Sequence, residues 1–182
     1  MKFIRKSYSE TGKIYFFTAS ILQWKTLLLE DVNKKLIADY LKVLVNRELI
    51  KLYAFVIMPN HIHLIWQQLK KNGKETPQGS FLKYTAHELL KRLKQQGLSG
   101  EYEVIATNKR HEIWQKDPLS IEVYSREVAR QKLEYIHFNP VSGKWKLSKD
   151  DQDYYYSSAR FYENGVDEFK MLSNLYVEFD GE

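Results

Sequence analysis

The amino-acid sequence predicts an α+β fold in which an antiparallel sheet, in a ferredoxin-like arrangement, carries helices packed on one face. Segments rich in aromatic and β-branched residues alternate with segments whose apolar residues recur at helical spacing. The coarse order is strand, helix, hairpin, helix, short strand and helix. Elements connected in this order favour an antiparallel sheet with helices beside it.

The first half of the chain supplies a strand, a helix and a hairpin. Ile14 to Ala19 is expected to form a strand because aromatic and β-branched side chains dominate it. A helix is expected over 31–48, where the apolar residues have helical spacing. Two strand-like apolar runs, 51–58 and 61–66, flank Pro59-Asn60. We expect these runs to pair as a hairpin because the proline and asparagine mark a turn.

The second half is expected to be mainly helical. The polar segment 70–80 is expected to be a loop, and an apolar stripe predicts a helix over 81–96. Short strands are expected over 102–106 and at Ile113-Trp114. A helical region, of one or two helices, is then expected from Asp117 to Phe138.

Charge divides the chain into a basic body and an acidic tail. The chain has 182 residues and a net charge of +5. Residues 163–182 include six acidic residues and one lysine, so this tail carries a charge of −5. Residues 1–162 therefore carry +10. We therefore expect one domain over 1–162 and an acidic tail over 163–182 that packs on this domain or extends from it. A basic body with interleaved aromatic residues suits a single-stranded nucleic acid, although a soluble protein with an aromatic core has the same composition.

The composition argues against several other classes of protein. The chain has no cysteine, which excludes a disulfide scaffold and a thiolate metal site and fits a cytoplasmic protein. No apolar run approaches the roughly 18 residues that a membrane-spanning helix needs, so no membrane partner is expected. We expect no secretory signal either, because no apolar stretch follows the first charged residues.

His61 and His63 flank Ile62 in the second strand of the expected hairpin. Because side chains two positions apart point to the same face of a strand, both imidazoles are expected to project in parallel. Such a pair forms half of a metal site. Two partly exposed histidines on a sheet would have the same spacing.

Tyr135 and Asn139 lie four residues apart near the end of the last expected helix. Positions i and i+4 share a helix face, so a phenol and an amide oxygen could point at one spot. Phenols are weak nucleophiles because they ionise only near pH 10, and a divalent cation can help by polarising the phosphate under attack. A core position is the alternative interpretation of Tyr135.

One face of the helix expected over 81–96 is basic. Lys83, Lys91 and Lys94 share this face, and Arg92 is nearby. These side chains could contact the phosphate backbone of DNA. A solvated lysine face without a ligand is the alternative.

Two longer motifs resemble those of a known enzyme family. The run from Val56 to Trp66, Val-Ile-Met-Pro-Asn-His-Ile-His-Leu-Ile-Trp, resembles the HUH motif of the single-tyrosine transposases, most closely in the branch of REP-associated tyrosine transposases. The segment from Tyr135 to Val141, Tyr-Ile-His-Phe-Asn-Pro-Val, resembles the second signature of that branch. The two motifs stand in the family's order, and the resemblance extends over roughly residues 14–162.

The resemblance implies an HUH endonuclease domain in which a tyrosine helix lies against the sheet that carries the histidines. It implies that His61 and His63 bind a divalent metal, Mg²⁺ or Mn²⁺, and that Tyr135 is the nucleophile. Asn139 is the candidate third ligand, but related enzymes have a longer glutamine there, and Pro140 biases Asn139 out of helical geometry. The implied substrate is single-stranded or hairpin DNA, which is cleaved and rejoined through a 5′-phosphotyrosine intermediate.

Two other functions stay open on the sequence alone. A non-catalytic single-stranded nucleic-acid-binding module of ferredoxin-like fold would bind without metal and form no covalent adduct. A metal-dependent hydrolase would cleave with water and also form no adduct. Members of the family act as monomers or as homodimers, so the sequence leaves both states open.

Overall fold

A five-stranded antiparallel sheet forms the centre of the computed structural model, which describes residues 5–143 and 145–180, with side chains from residue 7 onward. The strands are β1 (Arg5–Lys6), β2 (Ile14–Ser20), β3 (Ile50–Met58), β4 (His61–Gln68) and β5 (Leu119–Glu122). They are arranged in the order β1-β5-β2-β4-β3, and every neighbouring pair is antiparallel. Because β1 has only two residues, the other four strands form the main sheet.

Four α-helices and five short 3-10 turns complete the described structure. The helices are α1 (Asp31–Asn46), α2 (Pro77–Gln95), α3 (Arg126–Phe138) and α4 (Ala159–Asn164). The 3-10 turns lie at Leu22–Trp24, Leu27–Leu29, Ser99–Tyr102, Asp151–Asp153 and Leu175–Phe179. None of the helices described is both long and apolar enough to cross a membrane.

The expected α+β class and the ferredoxin-like order are confirmed. The chain runs through β2, α1, the β3–β4 hairpin, α2 and β5, and these four strands lie side by side as β5-β2-β4-β3. This is the arrangement of a split β-α-β unit.

Helices cover both faces of the sheet, whereas the sequence predicted helices on one face. α1 and α2 pack with Phe17 and Trp66 on one face. α3 packs with Phe16 and Ile65 on the other face. Consecutive strand residues point to opposite faces, and here both members of each pair are buried, so each face of the sheet requires a cover.

The expected helical region from Asp117 to Phe138 is wrong in its first part. Residues 119–122 form β5, which pairs with β2, and α3 begins only at Arg126. The hydroxyl of Ser125 caps this helix by accepting a hydrogen bond from the Val128 N–H at 3.4 Å. Apolar and polar side chains alternate in β5, which is the period of a strand.

Two further boundaries differ from the prediction. α2 begins at Pro77, not at residue 81, because the Thr76 hydroxyl accepts from the Gly79 N–H at 3.1 Å and caps the helix there. The short strands expected over 102–106 and at Ile113-Trp114 are isolated bridges, Glu103 to His111 and Ile21 to Trp114. Neither bridge has a second neighbouring pair that would extend it into a strand.

The C-terminal residues pack on the outer edge of β3. Ser157 forms an antiparallel bridge with Val56, and Leu172 forms a parallel bridge with Leu52. These bridges cover the edge of β3, which would otherwise expose unpaired backbone groups. Residues 163–180 of the segment expected as an acidic tail therefore pack on the same domain, and α4 runs across the boundary at residue 162. Residues 181 and 182 lie outside the described residues.

Acidic side chains of the C-terminal segment pair with basic residues of the body. Glu178 lies 2.9 Å from the Lys51 ammonium, and Asp180 lies 3.0 Å from the Arg126 guanidinium. The Lys51 hydrogen bond is the main reason that the pKa of Glu178 lies below its ordinary value. The apolar side chains of Leu175 and Phe179 are buried beside α3, so the segment also braces this helix.

Candidate active site

β4 presents His61 and His63 on the face of the sheet that α3 covers. The two ring centres are 4.7 Å apart. Ile62, between them, is fully buried in the core on the opposite face. Burial of Ile62 therefore decides which side chains of β4 face the core on that side of the sheet. Both imidazoles must then lie on the other face.

His63 is buried and is held by a threonine on the neighbouring strand. Thr18 lies directly opposite His63 in the β2–β4 register, and its Oγ1 is 2.7 Å from His63 Nδ1. The other ring nitrogen, Nε2, is buried and makes no hydrogen bond to any described residue. When Nδ1 carries the ring proton and donates a hydrogen bond to the Thr18 hydroxyl, Nε2 has a free lone pair.

The surroundings of His63 favour its neutral form. Burial lowers the pKa of His63 well below the ordinary value, and the neighbouring His61 and Lys132 lower this pKa further. A neutral imidazole is the form that can coordinate a metal.

His61 is oriented by the residue before it. The amide oxygen Oδ1 of Asn60 accepts a hydrogen bond from His61 Nδ1 at 2.6 Å. The Nδ2 of the same amide donates to the carbonyl oxygen of Trp24 at 3.2 Å. Asn60 therefore connects the histidine to the 3-10 turn at Leu22–Trp24, and the ring of Trp24 lies 6.2 Å from that of His61.

Tyr135 lies on α3 and faces the histidines. Its ring centre is 5.2 Å from that of His63 and 5.8 Å from that of Phe16. The side chain is 52% exposed, so the phenol is accessible from solvent. The structure therefore brings Tyr135 and the histidine pair together, and the alternative interpretation of Tyr135 as a core residue is wrong.

Asn139 lies on the same side of α3 as Tyr135 and borders the same cavity. Its φ of −56° and ψ of −46° are helical, so the expected bias against helical geometry before Pro140 is wrong here. The turn that follows explains this, because the N–H groups of Val141 and Ser142 both donate to the carbonyl oxygen of Phe138. These bonds hold Asn139 in helical geometry at the C-cap of α3, four residues after Tyr135.

A cavity of about 420 Å³ joins these residues. Its walls combine apolar and polar side chains: Phe16, Thr18, Trp24, His61, His63, Leu119, Ile121, Lys132, Tyr135 and Asn139. Lys132 brings a full positive charge to the wall, with its ammonium 5.1 Å from the centre of the Phe16 ring. A partly apolar cavity with a cation and polar groups suits an anionic group such as a phosphate.

The available metal donors are two imidazoles and one amide. Within the described part of the chain, no three His, Cys, Asp or Glu side chains cluster in a way that could hold a metal ion. A cation at His61 and His63 would therefore take further oxygen ligands from Asn139, water or a phosphate. The Nε2 of His63, which no described residue contacts by a hydrogen bond, fits such a ligand role.

Other tyrosines are placed differently from Tyr135. Among the tyrosines in 5–143 and 145–180, Tyr135 is the one that lines the histidine cavity. Tyr124 and Tyr155 are about half exposed but lie outside it. Tyr154 and Tyr162 donate their hydroxyl hydrogens to backbone carbonyls, and burial raises the pKa of each.

The basic residues expected to bind DNA lie on the opposite layer. Lys83, Lys91, Arg92 and Lys94 are on α2, which packs on the sheet face away from the histidines. Lys83 is 2.6 Å from Glu75, and Arg92 donates to Asn33 at 3.0 Å. The structure therefore does not bring these four residues to the cavity.

Sequence reasoning missed Thr18, Asn60, Trp24 and Lys132. Two of them had a local signal: Asn60 is adjacent to His61, and Lys132 is one helical turn before Tyr135. Thr18 could not be found, because its position opposite His63 depends on the pairing of two strands that are distant in sequence.

Comparison with known proteins identifies the fold. No family model matches the chain, and no curated protein matches it. A solved structure of a REP-associated tyrosine transposase bound to a REP hairpin is similar, with a TM-score of 0.59 and 20% sequence identity. The match covers 92% of this chain and 89% of the other. The chain therefore has the fold of a REP-associated tyrosine transposase, the family that its two sequence motifs resemble.

Proposed function

We propose that this chain is a metal-dependent transposase that nicks and rejoins single-stranded DNA with Tyr135 as the nucleophile. The observation that carries the proposal is the 5.2 Å separation between the rings of Tyr135 and His63 across one cavity. The fold shared with a transposase bound to a hairpin supports a hairpin-forming DNA substrate. The resemblance of the two sequence motifs, 56–66 and 135–141, to those of the transposase family supports the same assignment.

His61 and His63 would hold a divalent cation, Mg²⁺ or Mn²⁺, with Asn139 as the candidate third ligand. The Nε2 of His63 is buried and has no hydrogen-bond partner among the described residues, which supports this role. The orienting bonds from Thr18 and Asn60 support it too. When bound, such a cation would polarise the scissile phosphate and neutralise the charge that develops on it.

The side chains of the cavity divide the chemistry among them. The phenol oxygen of Tyr135 attacks phosphorus and loses its proton, and the bond from phosphorus to the 3′ oxygen breaks. The leaving 3′ oxygen takes up a proton and becomes a 3′-hydroxyl, so the protons balance. Lys132, one helical turn before Tyr135, lines the cavity and would donate to a non-bridging phosphate oxygen. Phe16 and Ile121 contribute apolar walls to the cavity.

The covalent product explains how strands can be rejoined without an energy source. A 5′-phosphotyrosine at Tyr135 retains the phosphoester bond of the DNA. A second 3′-hydroxyl can therefore attack the same phosphorus and release the phenol. The number of phosphoester bonds is unchanged over the two steps.

The basic residues of α2 would contact DNA outside the cavity. Lys83, Lys91, Arg92 and Lys94 lie on the other layer of the domain, so their contacts would be with a part of the substrate that has left the cavity. Such contacts would be to phosphates and would add affinity without sequence preference.

Loss of covalent capture in Tyr135→Phe tests the proposal. Wild-type protein, Mn²⁺ and an end-labelled hairpin oligonucleotide with a single-stranded flank are analysed on a denaturing gel. We expect a protein–DNA adduct that Tyr135→Phe abolishes and Tyr155→Phe retains, because Tyr155 is equally exposed but lies outside the cavity. An adduct that survives in Tyr135→Phe contradicts the assignment.

The same gel separates the two other functions. Cleavage by the wild-type protein without an adduct indicates a hydrolase that uses water. Binding without either cleavage or adduct indicates a non-catalytic nucleic-acid-binding module.

A further inference from the structure

An exposed tryptophan stands at the edge of the histidine cavity. Trp24 is 56% exposed, whereas Trp66 and Trp114 are buried in the core. The side chain of Trp24 lines the same cavity as His61 and Tyr135. An indole in this position is available to a ligand that enters the cavity.

The backbone that carries this indole is strained. Gln23 and Trp24 have φ values of 55° and 58°, in the left-handed region that residues with a Cβ rarely adopt. Specific bonds hold the conformation: the Trp24 N–H donates to the Ile21 carbonyl at 2.9 Å, and the Asn60 amide donates to the Trp24 carbonyl at 3.2 Å. Strain of this kind persists where the surrounding structure enforces it, and it concentrates at ligand sites.

The next residue anchors the turn from the other side. The Lys25 ammonium donates to the backbone carbonyl of Glu101 and lies 4.9 Å from the centre of the Tyr102 ring. Lys25 is therefore directed away from the cavity, and Trp24 is the residue of the turn that faces it.

The indole has no stacked partner among the described residues. Its ring contact there is with His61, at 6.2 Å between centres and an interplanar angle of 73°, which is an edge contact. A flat group could therefore lie parallel to the indole. Every nucleobase has such a face, and stacking on an aromatic side chain is how single strands are commonly bound.

We propose that Trp24 is a stacking site for an unpaired nucleobase next to the phosphate that enters the histidine cavity. This inference rests on the proposed function for the position of the phosphate. The indole adjoins His61, so the stacked base belongs to a nucleotide beside the scissile step. Stacking uses the π-face of the base, so this site favours an unpaired nucleotide over a paired one without selecting its sequence.

Abasic scanning of the DNA tests the site. A set of hairpin oligonucleotides with one abasic position each, moved stepwise along the single-stranded flank, is titrated against the wild-type protein and the variants. We expect one or two abasic positions to weaken wild-type binding about five- to a hundredfold. Trp24→Ala should bind the intact DNA as weakly as the wild-type protein binds that abasic DNA. In Trp24→Ala the abasic position should cause no further loss of affinity.

Three further variants separate stacking from folding. Trp24→Phe should restore much of the sensitivity to the abasic position, because it restores an aromatic face. Trp24→Gly should lose the sensitivity to the abasic position. Its melting temperature should be no lower than that of Trp24→Ala, because glycine adopts the positive φ without strain. Tyr155→Ala removes an equally exposed aromatic side chain outside the cavity and should keep the wild-type pattern.

Each failure has a distinct signature. If the wild-type protein forms the Tyr135 adduct but the abasic penalty is the same in Trp24→Ala, the stacking site is wrong and the proposed function stands. If no adduct forms but the Trp24-dependent penalty is present, the stacking site stands without the proposed chemistry. A loss of folding in Trp24→Ala, measured by its melting temperature, would show that the indole is structural and would overturn the inference.

Discussion

Removal of the Thr18 hydroxyl should weaken the metal site without changing its ligands. Thr18 Oγ1 is 2.7 Å from His63 Nδ1, and the two residues lie directly opposite each other in the paired strands β2 and β4. Thr18→Val keeps the shape of the side chain but removes its hydrogen-bonding atom. In the variant, His63 would have both ring nitrogens buried without a partner, since Nε2 already has none among the described residues.

The expected magnitude follows from this change. A buried polar atom that loses its hydrogen-bond partner lowers the free energy of unfolding by about 1–3 kcal/mol. Partners of this kind also fix the tautomer of a metal-binding histidine, and their removal typically weakens metal binding by about 10- to 100-fold. Thr18→Val should therefore lose about 1–3 kcal/mol of stability and bind Mn²⁺ about 10- to 100-fold more weakly.

Two measurements check these values separately. Urea unfolding in the absence of metal gives the stability, and calorimetric titration with Mn²⁺ gives the affinity. Thr18→Ser is the control, because it keeps the hydroxyl and should remain within a few-fold of wild type in affinity. Wild-type affinity for Mn²⁺ in Thr18→Val would refute the role of Thr18 in orienting His63.

Three further changes test other parts of the molecule. Lys132→Met should slow single-turnover adduct formation by about a hundredfold, because the lysine cation stabilises charge on the phosphate. Lys132→Arg keeps a cation and should slow the reaction less. An unchanged rate in Lys132→Met would contradict this role. Replacing Lys91 and Lys94 by glutamine should reduce the slope of log affinity against log salt by about 1.4, as measured by binding titrations with single-stranded DNA, if both contact phosphates. Burial lowers the pKa of His137 from its ordinary 6.5 to about 4, so between these pH values the unfolded chain binds a proton that the folded chain does not. On urea unfolding, wild type should therefore lose about 2 kcal/mol more stability between pH 7 and pH 5 than His137→Gln does, and an equal loss would contradict the lowered pKa.

The sequence was sufficient to place the histidine pair, because strand geometry allows little else. Ile62 belongs to the core, and its neighbours on either side must then share the opposite face. The spacing of Tyr135 and Asn139 on one helix face follows equally directly from the helical repeat. These local rules do not depend on the rest of the chain.

The cover on both faces of the sheet was missed although a signal was present. Residues 52–58 form a continuous buried run, which is typical of a strand covered on both sides and not of an alternating strand with one solvated face. β5 was missed for a different reason. It has only four residues, and such a short alternation beside Pro118 is not distinct from the start of a helix.

The features that were beyond sequence reasoning are non-local. The left-handed conformation of Trp24 depends on Asn60, which is far away in the chain and donates to the Trp24 carbonyl. The contact of His137 with Ser158, at 2.9 Å, joins α3 to the segment that covers the edge of β3. Such contacts depend on which strands and helices meet in the folded protein, and periodicity within one segment does not specify them.

The most direct test of the central claim is the location of the covalent bond. Wild-type protein is incubated with Mn²⁺ and hairpin DNA, the adduct is digested with nuclease and trypsin, and the modified peptide is identified by mass spectrometry. We expect a nucleotide on the peptide from Leu133 to Lys144, in which Tyr135 is the only tyrosine, and no adduct in His63→Ala. A nucleotide on any other tyrosine peptide, or an adduct that persists in His63→Ala, would contradict the convergence of the phenol and the histidine pair on one phosphate.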